Sequence, residues 1–149
     1  MKNKFMELAY KEALKAKNKD EVPVGAIIVK DDKVIARAHN IKEKSNDPMG
    51  HAEILCIKKA TKKLNDWYLK DCEMYVTLEP CVMCSGAIIN ARIEKVYYGA
   101  RDLKSGSLGG LFNLMEQKGF NHYFVSEYAE DNRCSQILKD YFRDKRLSK

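Results

Sequence analysis

The sequence predicts an α/β fold, a three-layer α/β/α sandwich built on a mixed five-stranded central sheet. Three observations carry that expectation. Five short β-rich segments alternate with helical ones along the chain. Helical segments follow the second, third and fourth of these strands, as they do where crossovers cover a sheet. No internal repeat, linker or low-complexity tract interrupts the 149 residues, a length that fits one domain, 1–149, with one core.

Residues 2–18 form the first expected helix, with Phe5, Leu8, Ala9, Ala13 and Ala16 on one face at helical spacing. Residues 24–29 and 34–38 are rich in Val, Ile and Ala and flank the polar stretch Lys30-Asp31-Asp32-Lys33, the pattern of a β-hairpin. A polar loop, 40–50, follows and contains the turn signal Asp47-Pro48. Residues 51–64 read as the second helix and 74–78 as the third strand. Pro80 suits the first turn of a helix running to about Ala91, because its missing N–H is no loss there. Residues 95–99 form the fourth strand. A loop with Gly106, Gly109 and Gly110 then leads to a short helix near 111–117, and 122–127 is the fifth strand. The last helix, 131–146, turns Cys134, Ile137, Leu138, Tyr141 and Phe142 inward. Ile27, Val29, Ile35, Val76, Ile88 and Val96 belong to the expected core.

Composition narrows the function classes. No apolar run approaches the length of a membrane span. Glu7, Lys11, Glu12 and Lys15 break up the start of the chain, against a secretory leader, so a cytoplasmic protein without membrane attachment is expected. The five cysteines are odd in number, and metal binding or buried thiols account for them better than a disulfide framework. The net charge of +6 fits a polyanionic partner without identifying one.

Two segments carry chemistry, His51-Ala52-Glu53 and Pro80-Cys81-Val82-Met83-Cys84, each at an expected helix start. Cys81 and Cys84, three apart, lie on one side of a helical turn and can grip one ion. With His51 they form a sulfur and imidazole set that suits tetrahedral zinc, and three protein ligands leave a fourth position for water, the pattern of a catalytic site. Glu53 can reach that water from the same helix N-terminus and act as its proton acceptor. A lone Cys-x-x-Cys also occurs in redox motifs and zinc knuckles, and a lone His-x-Glu is common; the pair of motifs is far more specific.

The combination resembles the zinc nucleoside and nucleic-acid deaminases, whose signature is His-x-Glu followed by Pro-Cys-x-x-Cys. The likeness extends over nearly the whole chain. Glu21-Val22-Pro23-Val24-Gly25-Ala26, Asn46-Asp47-Pro48, the run from Tyr75 to Cys84, Gly99-Ala100-Arg101-Asp102 and Phe142-Arg143-Asp144-Lys145-Arg146 are similar to the bacterial tRNA adenosine deaminases. This resemblance implies a cytidine deaminase-like fold and one zinc per subunit on His51, Cys81 and Cys84. It also implies hydrolysis of adenosine to inosine at the wobble position of a tRNA anticodon, with a zinc-bound hydroxide and Glu53 as proton shuttle. It further implies that Asn40 hydrogen-bonds the flipped purine and that Asp102 lies near the sugar-phosphate. The Glu79–Pro80 backbone would sit beside the departing amine, and Val24, Ala52 and Leu78 would wall the pocket. The family is typically homodimeric, so a homodimer acting on an anticodon stem-loop is expected. Met49 and Gly50 stand where the family commonly has threonine and alanine, and His39 where tryptophan is frequent.

Arg143, Lys145 and Arg146 in the last helix, with Arg101 and Lys104 beside Asp102, are the candidate RNA contacts. Lys58, Lys59, Lys62 and Lys63 read as a solvated face, Trp67-Tyr68 as packing, and Cys56, Cys72 and Cys134 as buried thiols. Tyr123 and Phe124 could stack on RNA, but a strand setting favours burial for at least one of them. Two alternatives share these motifs. One is a deaminase of a free base or nucleotide, of the guanine or cytosine type. The other is a non-catalytic RNA-binding zinc module, which predicts four protein ligands at the zinc and no loss of function on Glu53→Ala.

Overall fold

A computed structural model describes residues 2–148. Helix α1 (Lys2–Asn18) leads into β1 (Gly25–Lys30) and β2 (Lys33–His39), joined by a two-residue turn. Asp31 and Asp32 both have positive φ, 51° and 61°, as a type I′ hairpin turn requires. The chain continues through α2 (Lys42–Ser45), α3 (Ala52–Leu64), β3 (Cys72–Val76), α4 (Val82–Ala91), β4 (Lys95–Tyr98), β5 (Val125–Tyr128) and α5 (Asn132–Leu147). The strands lie in the order β2-β1-β3-β4-β5. β1 runs antiparallel to β2 and β3, whereas β3, β4 and β5 are parallel. The α/β architecture with a mixed five-stranded sheet is as expected.

Each face of the sheet is covered, because successive strand residues point to opposite sides. Ile27, Val29, Tyr75 and Tyr97 pack under Phe5, Met6 and Ala9 of α1 and Cys134 of α5. Tyr75 and Tyr97 stack with ring centroids 4.5 Å apart. On the other face, Ala26, Ile28, Met74, Val76 and Val96 meet Ala52, Cys56 and Ala60 of α3 and Ile88 and Ile89 of α4. Cys56, Cys72 and Cys134 are buried thiols.

The register gathers one end of the sheet. Gly25 pairs with His39 and Ala26 with Val76. Thr77 donates its N–H to the Gly25 carbonyl and accepts the Gly25 N–H on Oγ1. The start of β1 and the ends of β2 and β3 therefore share an edge, from which the segments around Val24, Asn40 and Leu78 emerge. In sheets of this kind the crevice beyond the carboxyl ends of parallel strands is where ligands bind.

Several elements depart from the sequence expectation. Residues 42–45 form a short helix inside the expected polar loop. It is capped from a distance: the buried Glu21 carboxylate accepts the N–H groups of Glu43 and Lys44 at 3.0 and 2.8 Å. Pro80 lies before α4, not in its first turn, and Cys81 is the N-cap. The helix expected near 111–117 is one 3-10 turn, Leu114–Glu116, whose N-cap Asn113 accepts the Met115 N–H. β5 starts at Val125 because its partner begins at Lys95, which leaves 122–124 nothing to pair with. Ile35 is only partly buried, since β2 is an edge strand. Phe142 is 46% exposed and Leu138 partly so; α5 buries the narrow stripe Cys134, Ile137 and Tyr141. Trp67 and Tyr68, expected to pack, are exposed and stack on each other.

Candidate active site

The N-termini of α3 and α4 converge at the gathered sheet end. His51 is the N-cap of α3, in extended conformation (φ −83°, ψ 146°), so its ring leaves the helix axis and reaches across to α4. Asn40, just after β2, supplies the cap in its place, with Oδ1 accepting the Ala52 N–H at 3.0 Å. That bond ties the β2 exit to the start of α3.

His51 Nδ1 lies 3.7 Å from Cys81 Sγ and 3.5 Å from Cys84 Sγ. The three donor atoms lie within 4.8 Å of one another and can hold a metal ion. Cys81 is half-buried at the N-cap of α4, and Cys84 is buried one turn further on. The Cys84 thiol and the His51 ring, both facing the Cys81 sulfur, pull its pKa down to about 4 against the opposing effect of burial. Cys84 moves the other way, because its thiol is the donor to Cys81 and is buried. His51 is raised, chiefly by its hydrogen bond to Cys81. The arrangement thus favours one thiolate before any cation arrives, which is the ionisation a metal ligand needs.

Glu53, in the first turn of α3, is only 4% exposed. Burial pushes its carboxyl up to about 7. A carboxyl that can gain or lose a proton near neutral pH, next to a metal-donor cluster, is equipped for general acid–base work.

The other expected site residues differ in exposure and in partners. Val24, Ala52, Glu79 and Pro80 are buried, while Leu78 is partly buried. Asp102 is partly buried and spends its carboxylate on its own turn, accepting from Lys104 N–H, Ser105 N–H and Ser105 Oγ. Arg101 is exposed and lies over the Tyr128 ring at 4.5 Å, and Lys104 is exposed. Along α5, Lys145 pairs with Asp20 at 2.7 Å and Arg143 with Asp140 and Asp144, whereas Arg146 is exposed. Lys58, Lys59, Lys62 and Lys63 form the exposed face expected of them. His122 bonds the Ile93 carbonyl at 2.7 Å, Phe124 is buried, and Tyr123 is exposed but donates its hydroxyl to the Gln117 carbonyl.

Sequence reasoning missed three supporting groups. His39 Nδ1 meets the buried Glu12 carboxylate at 3.0 Å, next to Asn40. Glu21 organises α2. Ser107 donates its hydroxyl to the Pro80 carbonyl, so the 2.7 Å bond between Ser85 and Ser107 has Ser85 as donor. Glu12 was detectable as an acid on an otherwise apolar helix face, but its partner was not.

Comparison with known proteins identifies the family of the chain. The MafB19-like deaminase family matches residues 1–146. The tRNA-specific adenosine deaminase of Aquifex aeolicus (strain VF5) is 46% identical over 142 residues, covering 95% of this chain and 94% of that protein. The chain belongs to the tRNA-specific adenosine deaminase family. The family protein of Bacillus subtilis (strain 168) is also 46% identical, over 97% of this chain and 91% of that one. A solved structure from work on A-to-I editing by tRNA:A34 deaminases matches with a TM-score of 0.85 at 41% identity, over 91% of this chain and 99% of that one. The guanine deaminase of Bacillus subtilis matches less well, with a TM-score of 0.66 at 30% identity, over 95% of this chain and 93% of that one. Among the described residues no helix is long and apolar enough to cross a membrane.

Proposed function

We propose that the chain is one deaminase domain, 1–149, that hydrolyses the wobble adenosine of a tRNA anticodon to inosine and ammonia, using zinc held by His51, Cys81 and Cys84. The observation that carries this is the cluster of His51 Nδ1 with two cysteine sulfurs beside a buried glutamate, in a chain of this family.

The donor set fits the metal. Zn–S bonds of about 2.3 Å and Zn–N bonds of about 2.0–2.1 Å, at the tetrahedral angle, put nitrogen and sulfur about 3.6 Å apart. The two nitrogen–sulfur distances here, 3.7 and 3.5 Å, bracket that value. Zinc bound there supplies Lewis acidity that makes a water molecule a nucleophile near neutral pH.

The remaining work falls to side chains of this chain. Glu53 would take a proton from the attacking water and pass it to the purine ring nitrogen, then take the second proton from the new C6 hydroxyl and pass it to the amine, which leaves as ammonia. In the metal-free protein burial raises its pKa, and a carboxyl so placed can hold a proton as well as accept one. Asn40, with its carboxamide oxygen committed to Ala52, presents its –NH2 donors to the base. Val24, Ala52 and Leu78 wall the base, and the Glu79–Pro80 backbone borders the departing amine. Arg101, Lys104, Arg143, Lys145 and Arg146 face the phosphates, and Asp102 orders the turn that carries Lys104. A splayed loop base can enter such a pocket without the cost of opening a duplex. The enzyme acts as a cytoplasmic homodimer.

The test is inosine formation in an anticodon stem-loop that starts with A, with free adenosine, cytidine and guanine in parallel. Inosine in the stem-loop alone supports the proposal. Turnover of the free compounds alone moves the protein to the small-substrate branch.

A further inference from the structure

Glu79 is the second acidic group close to the site, and the reaction does not use its carboxylate. It is 2% exposed, and the ion pairs among the described residues do not include it. Three backbone N–H groups satisfy it instead. Oε1 accepts from Asp102 at 3.1 Å, and Oε2 accepts from Leu108 and Gly110, each at 2.9 Å. All three donors belong to the 102–110 loop, which wraps around the carboxylate. A buried carboxylate is costly unless its lone pairs are filled, so loop and side chain hold each other in place.

The glycines of this loop make the wrap possible. A Cβ at Gly106 would collide with the Glu79 carboxylate and the Asp102 carbonyl. A Cβ at Gly110 would also strike the Asp102 carbonyl and would lie 2.7 Å from Glu79 Oε1. Further bonds weld the same loop to the start of α4. Ser107 donates its N–H and its hydroxyl to the Pro80 carbonyl, and Gly106 forms a β-bridge with Cys81. The loop that displays Asp102 and Lys104 is thus referenced directly to the segment that supplies two metal donors.

We propose that Glu79 is a positioning residue for substrate RNA: its carboxylate fixes the 102–110 loop relative to the metal site, so that backbone contacts to the nucleic acid align with the base to be deaminated. This rests on the stem-loop deamination proposed above. Glu79→Gln tests it by replacing one acceptor oxygen with an –NH2 that faces an N–H donor. Gly110→Ala loosens the same wrap from the loop side and leaves Glu79 intact.

Both variants are prepared as zinc-loaded protein. Three quantities are measured: metal content, amide exchange of Leu108 and of residue 110, and stem-loop kinetics. The expected result is retained zinc, faster exchange of those amides, and a KM raised roughly tenfold or more with kcat within about twofold, the loss attached to binding. Unchanged amide exchange overturns the anchoring. Faster exchange with unchanged KM, or kcat falling in step with lost zinc, overturns the positioning role and leaves a structural one. Native protein that makes no inosine from the stem-loop removes the substrate reading and this role with it, a result separate from any variant.

Discussion

Replacing Glu53 with glutamine should make the metal-free protein more stable and the loaded enzyme nearly inactive. Glu53 is buried, and its pKa is raised from an ordinary 4.5 to about 7 by that burial. Between those values the unfolded chain ionises Glu53 while the folded protein keeps it protonated. The unfolded state is therefore favoured increasingly as pH rises from 4.5, and the full penalty is reached above about 7. At about 1.4 kcal/mol per pH unit, that interval amounts to about 3 kcal/mol. Glutamine has nearly the same volume and no charge to desolvate. Urea unfolding of chelator-treated protein should show Glu53→Gln stabilised by up to about 3 kcal/mol at pH 8, with the gain vanishing towards pH 4.5. In the zinc-loaded enzyme the same change should cost roughly 10²- to 10⁴-fold in inosine formation, the usual worth of a general acid–base group. A stability gain of equal size at both ends of that pH range would show that burial does not hold Glu53 protonated, and undiminished turnover would show that it is not the proton carrier.

Other perturbations separate the remaining roles. Cys81→Ser and Cys84→Ser should each lose bound zinc by elemental analysis, whereas Glu53→Gln should keep about one ion per chain. Asn40→Asp keeps an oxygen acceptor for the Ala52 N–H and loses the amide donors, so activity should fall while the melting temperature holds; Asn40→Ala should lose about 1 kcal/mol of stability as well. Glu21→Ala removes two charge-assisted bonds to α2 and should lower unfolding free energy by roughly 3 kcal/mol in urea titration. Arg146→Ala should reduce the salt slope of stem-loop binding by about 1, as loss of one phosphate contact does, and a slope equal to that of the native protein would remove Arg146 from the interface.

The donor cluster of His51, Cys81 and Cys84 was legible in the sequence because it depends on residue type at short spacing. His51 with Glu53, and Cys81 with Cys84, each occupy one turn at a helix start, so local geometry delivers them and only their meeting is tertiary. The mixed sheet was legible from the alternation of periods, since burying strands and helices demands it. The long-range polar bonds were not legible. Glu79 reaches residues 23 to 31 positions later, Glu21 caps a helix 22 and 23 positions away, and His39 finds Glu12 across 27 positions. Such partners are chosen by where the packed sheet brings backbone N–H groups, and no local pattern records that. The same reason explains α2 and the late start of β5: one exists because a distant carboxylate fills its free N–H groups, the other begins where its neighbour strand begins. Side-chain type and local period were enough to mark the candidate residues. Packing then settled which carboxylates are filled by backbone N–H groups and which one, Glu53, is buried beside the His51, Cys81 and Cys84 cluster, because burial and the supply of backbone donors are properties of the folded chain.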